Sequence, residues 1–180
     1  MVPASKKHQI AIHTARALRK IRKHEPKDLL ETSQLGLVCV SQGEGAFRTA
    51  YLIKGTSLLI KFPIQESFHG LRPDGVYVTV RKDDSDGKRH TRAEVRKIRA
   101  LSKFKSLRAH LPPVYYYNSK DGVVCMKYFE PSSDDNWLEH SGPLLSGVIK
   151  ELTGITLEDI VGDNIKKKEN GNLVFVDLGY

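Results

Sequence analysis

Apolar and basic positions interleave at helical spacing near the start of the chain, where Ile10, Thr14, Ala17, Leu18 and Ile21 share one face with Lys and Arg between them. The pattern predicts a surface helix from about Ser5 to His24, ended by Pro26, and a second short helix over Lys27 to Thr32. The pattern then changes. Leu35 to Ser41 is a run rich in β-branched and apolar residues, and Arg48 to Ile53 and Ser57 to Phe62 are the next strands, joined by Lys54-Gly55-Thr56, so a three-stranded antiparallel unit is expected. From Pro63 to His90 the pattern dissolves into Pro, Gly and the polar run from Asp83 to Lys88, which reads as a mobile insertion holding one short strand at Val76 to Val80. Thr91 and Glu94 have the spacing of a capping box at the start of a helix carrying Val95, Ile98 and Leu101. Val123 to Met126 reads as a buried strand, and Leu144, Leu145, Val148, Ile149 and Leu152 as one helical face. Asn164 to Lys168 and Leu173 to Val176 form a closing hairpin around Glu169-Asn170-Gly171-Asn172. Helix, sheet, helix, sheet edge, helix, hairpin is an α+β order.

With 180 residues, 39% hydrophobic and 28% charged, the chain can fill one core, or two small lobes sharing one. It has no apolar run near the roughly 20 residues that span a bilayer, and its amphipathic N-terminus is unlike a signal core. No membrane association and a cytoplasmic location are therefore expected, with a secreted effector lacking a classical signal peptide left open. Cys39 and Cys125 sit inside apolar stretches, as buried thiols do, and no Cys/His metal spacing occurs. The net charge of +8 gathers at Lys6 to Lys27, Arg92 to Arg108 and Lys166 to Lys168 and suits an acidic partner. Without interleaved aromatic and basic positions, nucleic acid is the lesser expectation; a protein substrate or docking partner is the main one.

Three segments offer chemistry. Gly43 and Gly45, followed by Phe47, would let backbone N–H groups approach phosphate oxygens under an aromatic cap, although a two-glycine hairpin turn explains the glycines equally. Lys61 lies in the apolar strand Leu58 to Phe62, where an ammonium needs an anionic partner or must snorkel to the edge. Glu94 is the candidate carboxylate. Asp159 and Asn164, five residues apart, followed by Asp177-Leu178-Gly179, supply a general base and oxygen ligands of the kind phosphoryl transfer uses. Separately, each is also an ordinary turn residue.

Taken in order, these segments resemble the protein-kinase signature: Gly-rich loop, strand lysine, helix glutamate, catalytic Asp with an Asn five residues on, and a metal-binding Asp before Gly. The resemblance runs from about Leu35 to Gly179. It implies a protein-kinase-like fold with an antiparallel-sheet N-lobe and a much reduced C-lobe. The divisions would be residues 1–34 as a basic helical extension, 35–130 as N-lobe and hinge, and 131–180 as the C-lobe. It implies ATP and Mg²⁺ as cofactors. Lys61 would hold the α- and β-phosphates and pair with Glu94, with Asp159 as catalytic Asp and Asn164 and Asp177 as metal ligands. Met126 would be the gatekeeper of a hinge strand, with the backbone of Lys127 and Tyr128 facing adenine.

The sequence departs from the family at four positions. Arg48 stands where a third glycine is expected and would narrow or charge the phosphate roof. Leu157 and Glu158 replace the His and Arg before the catalytic Asp, so no Arg-dependent activation-loop switch is expected. Val161 replaces a frequent lysine. Only Tyr180 follows the Asp-Leu-Gly, so either the chain is trimmed or a partner, or the basic N-terminal helix, would cover an exposed C-lobe surface. The resemblance thus implies a minimal phosphotransferase acting on Ser or Thr of a protein or on itself. Its alternatives are a pseudokinase-like module docking a partner, and a small-molecule kinase of the aminoglycoside or choline type. Adenylyl transfer by inverted nucleotide binding has no positive sequence feature but yields a different product.

Overall fold

Side-chain alternation along the apolar strands decides the layout. The computed structural model describes residues 4–23, 36–41, 47–63, 66–71, 77–130, 135–158, 164–168 and 170–178. Strands β1 (Leu37–Ser41), β2 (Arg48–Ile53) and β3 (Leu58–Pro63) pair antiparallel as predicted. The sheet continues through β7 (Val123–Lys127) to β6 (Val114–Asn118), in the order β1-β2-β3-β7-β6. On one face Leu58, Ile60, Phe62, Val123 and Cys125 form a buried cluster with Ala11 and Ala15 of helix α1 (Ala4–Lys23). On the other, Val124 and Met126 join Val95, Ile98 and Leu101 of helix α2 (Ser85–Leu101). The two-residue period of a strand produces this division. Each fully buried Leu or Ile, such as Leu58 and Ile60, stabilises the fold by about 1.5–3 kcal/mol.

Helix α1 coincides with the predicted helix to within a residue at its start. It packs on the sheet: Lys7 Nζ lies 3.4 Å from the Tyr115 hydroxyl, and His8 Nδ1 donates to the Tyr115 carbonyl at 2.5 Å. The expected short helix at Lys27 to Thr32 lies outside the described residues.

The predicted insertion is also more ordered. Strands β4 (Glu66–Leu71) and β5 (Tyr77–Asp83) form a separate two-stranded hairpin with an irregularity at Phe68/His69. Helix α2 begins at Ser85, six residues before Thr91, so Thr91 and Glu94 are not a capping box. Thr91 sits mid-helix with Oγ1 3.0 Å from the Gly87 carbonyl and 2.8 Å from the Gly122 carbonyl. Two glycines allow the close approach there. A Cβ on Gly87 would stand 2.6 Å from Pro63 Cβ, and one on Gly122, whose φ is +65°, would stand 2.6 Å from Lys88 Cγ.

Helix α3 (Asp135–Thr153) presents two stripes rather than one apolar face. Ile149 is buried and Leu145 packs against the same cluster, whereas Leu144 and Leu152 are 72% and 62% exposed. The closing hairpin, β8 (Ile165–Lys167) with β9 (Leu173–Phe175), packs Ile165 and Phe175 into the cluster beneath α2, together with Leu157 and Leu178. Among the described residues, no helix is long and apolar enough to cross a membrane.

Candidate functional site

Among the described residues, Arg48 and Lys61 are the buried charged side chains of the sheet, and they enter its face toward α2. Lys61 stands opposite Ala50, and Arg48 precedes Ala50 by two residues, so the pleat points both side chains the same way. Lys61 is 5% exposed and Glu94, from α2, is fully buried. Lys61 Nζ donates to Glu94 Oε1 at 2.8 Å, and Arg48 Nη1 donates to Glu94 Oε2 at 2.5 Å. Each carboxylate oxygen of Glu94 therefore holds one cation. Asp177, just past β9, completes the cluster: its Oδ1 lies 3.2 Å from Lys61 Nζ and accepts a hydrogen bond from Arg48 Nη2. Two cations face two carboxylates, the pairing that burial of such charges requires.

Burial pushes the Glu94 carboxyl up, but Lys61 and Arg48 outweigh it and hold the group below its ordinary value. At Asp177 burial likewise raises the pKa, and Lys61, Arg48 and, least of the three, His90 bring it below the usual carboxylate range.

Asp177 adopts φ +56°, in the left-handed region that Asp tolerates better than most side chains. Buried Phe175 and Leu178 anchor it on either side. Ile165 pairs with Phe175, and the Val176 N–H donates to the Asn164 carbonyl at 2.7 Å, so Asn164 and Asp177 stand at the same end of the β8–β9 hairpin. Among the described residues no group of three or more His, Cys, Asp or Glu side chains is placed to hold a metal. A carboxylate and an amide oxygen at one hairpin end nonetheless fit Mg²⁺, which characteristically takes one or two protein carboxylates and completes its shell with phosphate and water.

Phe47 stacks on His90 with centroids 4.2 Å apart and rings 14° from parallel. His90 lies four residues before Glu94 and therefore on the same face of α2. Gly43, Gly45 and the catalytic candidate Asp159 lie outside the described residues. The chain leading to Asp159 is held by the core: Leu157 is buried, and its carbonyl accepts from Ser146 Oγ of α3 at 2.5 Å.

Met126 pairs with Leu59 and Val124 with Lys61, so Met126 sits on the lysine's face of the sheet, two pairs along, and is fully buried. The backbone that follows Met126 makes two hydrogen bonds within the sheet. The Lys127 N–H donates to the Pro113 carbonyl at 3.0 Å and the Tyr128 N–H to the Ser57 carbonyl at 2.9 Å. Those two N–H groups hold the strand end to the sheet.

The structure thus brings together Lys61, Glu94 and Asp177, with Asn164 on the same hairpin. The sequence reading gave Glu94 no second cation and did not single out His90. Spacing alone carried a signal for His90, since i and i+4 on one helix face meet the same neighbours.

No family model matches this chain, and no curated protein matches it in sequence. Among solved structures, a match is the crystal structure of the choline kinase LicA from Streptococcus pneumoniae, at a TM-score of 0.42 and 13% identity, covering 91% of this chain and 69% of that one.

Proposed function

We propose that this chain is an ATP- and Mg²⁺-dependent phosphotransferase of protein-kinase-like architecture, with residues 35–130 as its nucleotide-binding lobe and 131–180 as a reduced C-lobe. The observation that carries the reading is the buried Lys61–Glu94 pair with Asp177 3.2 Å from the same ammonium. A lysine fixed by a carboxylate from the neighbouring helix, beside a second carboxylate on a separate hairpin, is the arrangement kinases use to position phosphates and metal. Lys61 would hold the α- and β-phosphates, and Glu94 would fix the lysine. Asp177 and Asn164 would hold Mg²⁺, which when bound supplies charge neutralisation for the phosphates. Gly43, Gly45 and Phe47 would cover the phosphates, while Met126 would border the base. Asp159 would accept the proton of an attacking hydroxyl as its oxygen bonds the γ-phosphorus and the bond to ADP breaks. The acceptor is a Ser or Thr of a partner protein or of the chain itself.

One observation favours a second reading, a non-catalytic docking module. Arg48 occupies Asp177, the carboxylate a metal would need. Both readings meet the same experiment: intact mass of the chain and of trial acceptor proteins after incubation with Mg-ATP, beside an Asp159→Asn control. A phosphoryl increment absent from the control supports the transferase, and an adenylyl increment supports inverted transfer. No increment in either supports the docking module.

A further inference from the structure

Arg48 is the feature that the proposed chemistry does not absorb. It lies at the first position of β2, directly after Phe47, and its guanidinium spans two carboxylates from different elements: Nη1 on Glu94 and Nη2 on Asp177. Lys61 bridges the same two carboxylates, so Asp177 Oδ1 is contacted by both cations. The cluster of two cations and two carboxylates is formally neutral as it stands. A divalent cation arriving at Asp177 alone would meet two positive charges already on that oxygen, and the low-dielectric surroundings of buried Arg48, Lys61 and Glu94 strengthen the repulsion.

We propose that Arg48 is an internal gate on the metal site: it holds Asp177 when no polyphosphate is bound, and swings its Nη2 edge onto a phosphate oxygen when metal and polyphosphate enter together. The rigid fork of a guanidinium suits this exchange. Nη1 keeps Glu94 while Nη2 trades a carboxylate for a phosphate oxygen, two acceptors that arginine binds in similar geometry. Lysine has no second donor edge for such a trade. The negative charge of the polyphosphate offsets the incoming metal, which couples the two ligands: each alone binds against an unfavourable charge balance, and together they restore it. The ligand class rests on the phosphotransferase reading above; the competition for Asp177 does not.

The test is calorimetric titration of the full chain with Mn²⁺ alone and with metal-free ATP alone, comparing the wild type with Arg48→Met and Arg48→Lys. Far-UV circular dichroism checks folding, and the lysine variant retains a buried positive charge if the methionine variant does not fold. Loss of one charge-assisted contact corresponds to about tenfold in affinity or more. Mn²⁺ should therefore bind Arg48→Met about tenfold tighter than the wild type, and metal-free ATP about tenfold weaker, with Arg48→Lys shifted in the same directions. Mn²⁺ affinity unchanged or reduced in a folded variant overturns the gate. Unchanged ATP affinity overturns the transfer of Arg48 to phosphate. If the wild type binds no ATP even with metal, the phosphotransferase reading fails, while the Mn²⁺ comparison still decides whether Arg48 competes for Asp177.

Discussion

Replacing Glu94 by Gln tests the centre of the site more directly than any other change. Glu94 is fully buried and holds Lys61 at 2.8 Å and Arg48 at 2.5 Å. The amide keeps the shape but removes the charge, and its NH₂ group presents donors to one of two cations that need an acceptor. Removing one partner of a buried ion pair typically costs about 3–5 kcal/mol. Here the lower end applies, because Asp177 still faces both cations and its side chain is 39% exposed, within reach of water. A loss of about 3 kcal/mol is a large part of the roughly 5–15 kcal/mol that keeps a domain folded. With a urea slope of about 2 kcal/mol/M, the unfolding midpoint should fall by about 1.5 M at pH 7, read by far-UV circular dichroism.

The pH dependence gives an independent check. Glu94 is held below its ordinary value of 4.5, so the folded protein binds its proton less readily than the unfolded chain does. The stability it contributes is fully present above about pH 4.5 and is lost as pH falls from there through the folded value. The gap between wild type and Glu94→Gln should be constant from pH 7 to 5 and narrow below 4.5. A loss under about 1 kcal/mol at pH 7, or a gap that widens on acidification, would refute the buried cluster as described.

Lys61→Ala should weaken Mg-ATP binding by about tenfold or more while the far-UV spectrum persists; equal affinity by calorimetry would remove Lys61 from the phosphate site. Gly122→Ala should destabilise by about 2 kcal/mol or more, since it puts a side chain at φ +65° and a Cβ 2.7 Å from Pro63 Cγ, and a thermal midpoint unchanged within error would contradict that packing. Cys125 is fully buried, and burial pushes its thiol up to about 12, so iodoacetamide at pH 8 should label it only as fast as the protein opens. Peptide mass mapping that finds rapid labelling of native Cys125 would place it outside the core.

The central strands were legible because they carry apolar runs with turn residues between them, and β2 emerged with its predicted bounds. β6 was not, because three consecutive tyrosines after Pro112-Pro113 show no alternation; an irregularity between Val114 and Tyr116 carries Tyr115 and Tyr116 toward the same cluster. The start of α2 was hidden by Gly87, which reads as a breaker because it costs about 1 kcal/mol relative to Ala within a helix. It stands there because β3 passes too close for a Cβ, a tertiary reason that spacing does not carry. The same limit explains α3. Leu145 and Ile149 form one stripe and Leu144, Val148 and Leu152 the next, and only packing decides which is covered.

Arg48 was legible as a departure from glycine but not as a participant, because its partners lie 46 and 129 residues away. Its meaning depends on its neighbour. Phe47 and Arg48 are consecutive, and each reaches α2, the first through the ring of His90 and the second through the carboxylate of Glu94, one helical turn apart. Glu94 in turn fixes Lys61 on β3. A shift of α2 by a single turn would therefore break the aromatic stack, the Arg48 pair and the Lys61 pair together, leaving two buried cations with Asp177 as their remaining counter-ion. Intermediate positions keep none of the three geometries while still burying the charges, so they carry the cost of burial without its compensation. The helix, the end of the glycine segment and the strand lysine consequently assemble as one unit, and the order of the site is tied to the packing of Val95, Ile98 and Leu101 that holds α2 against the sheet.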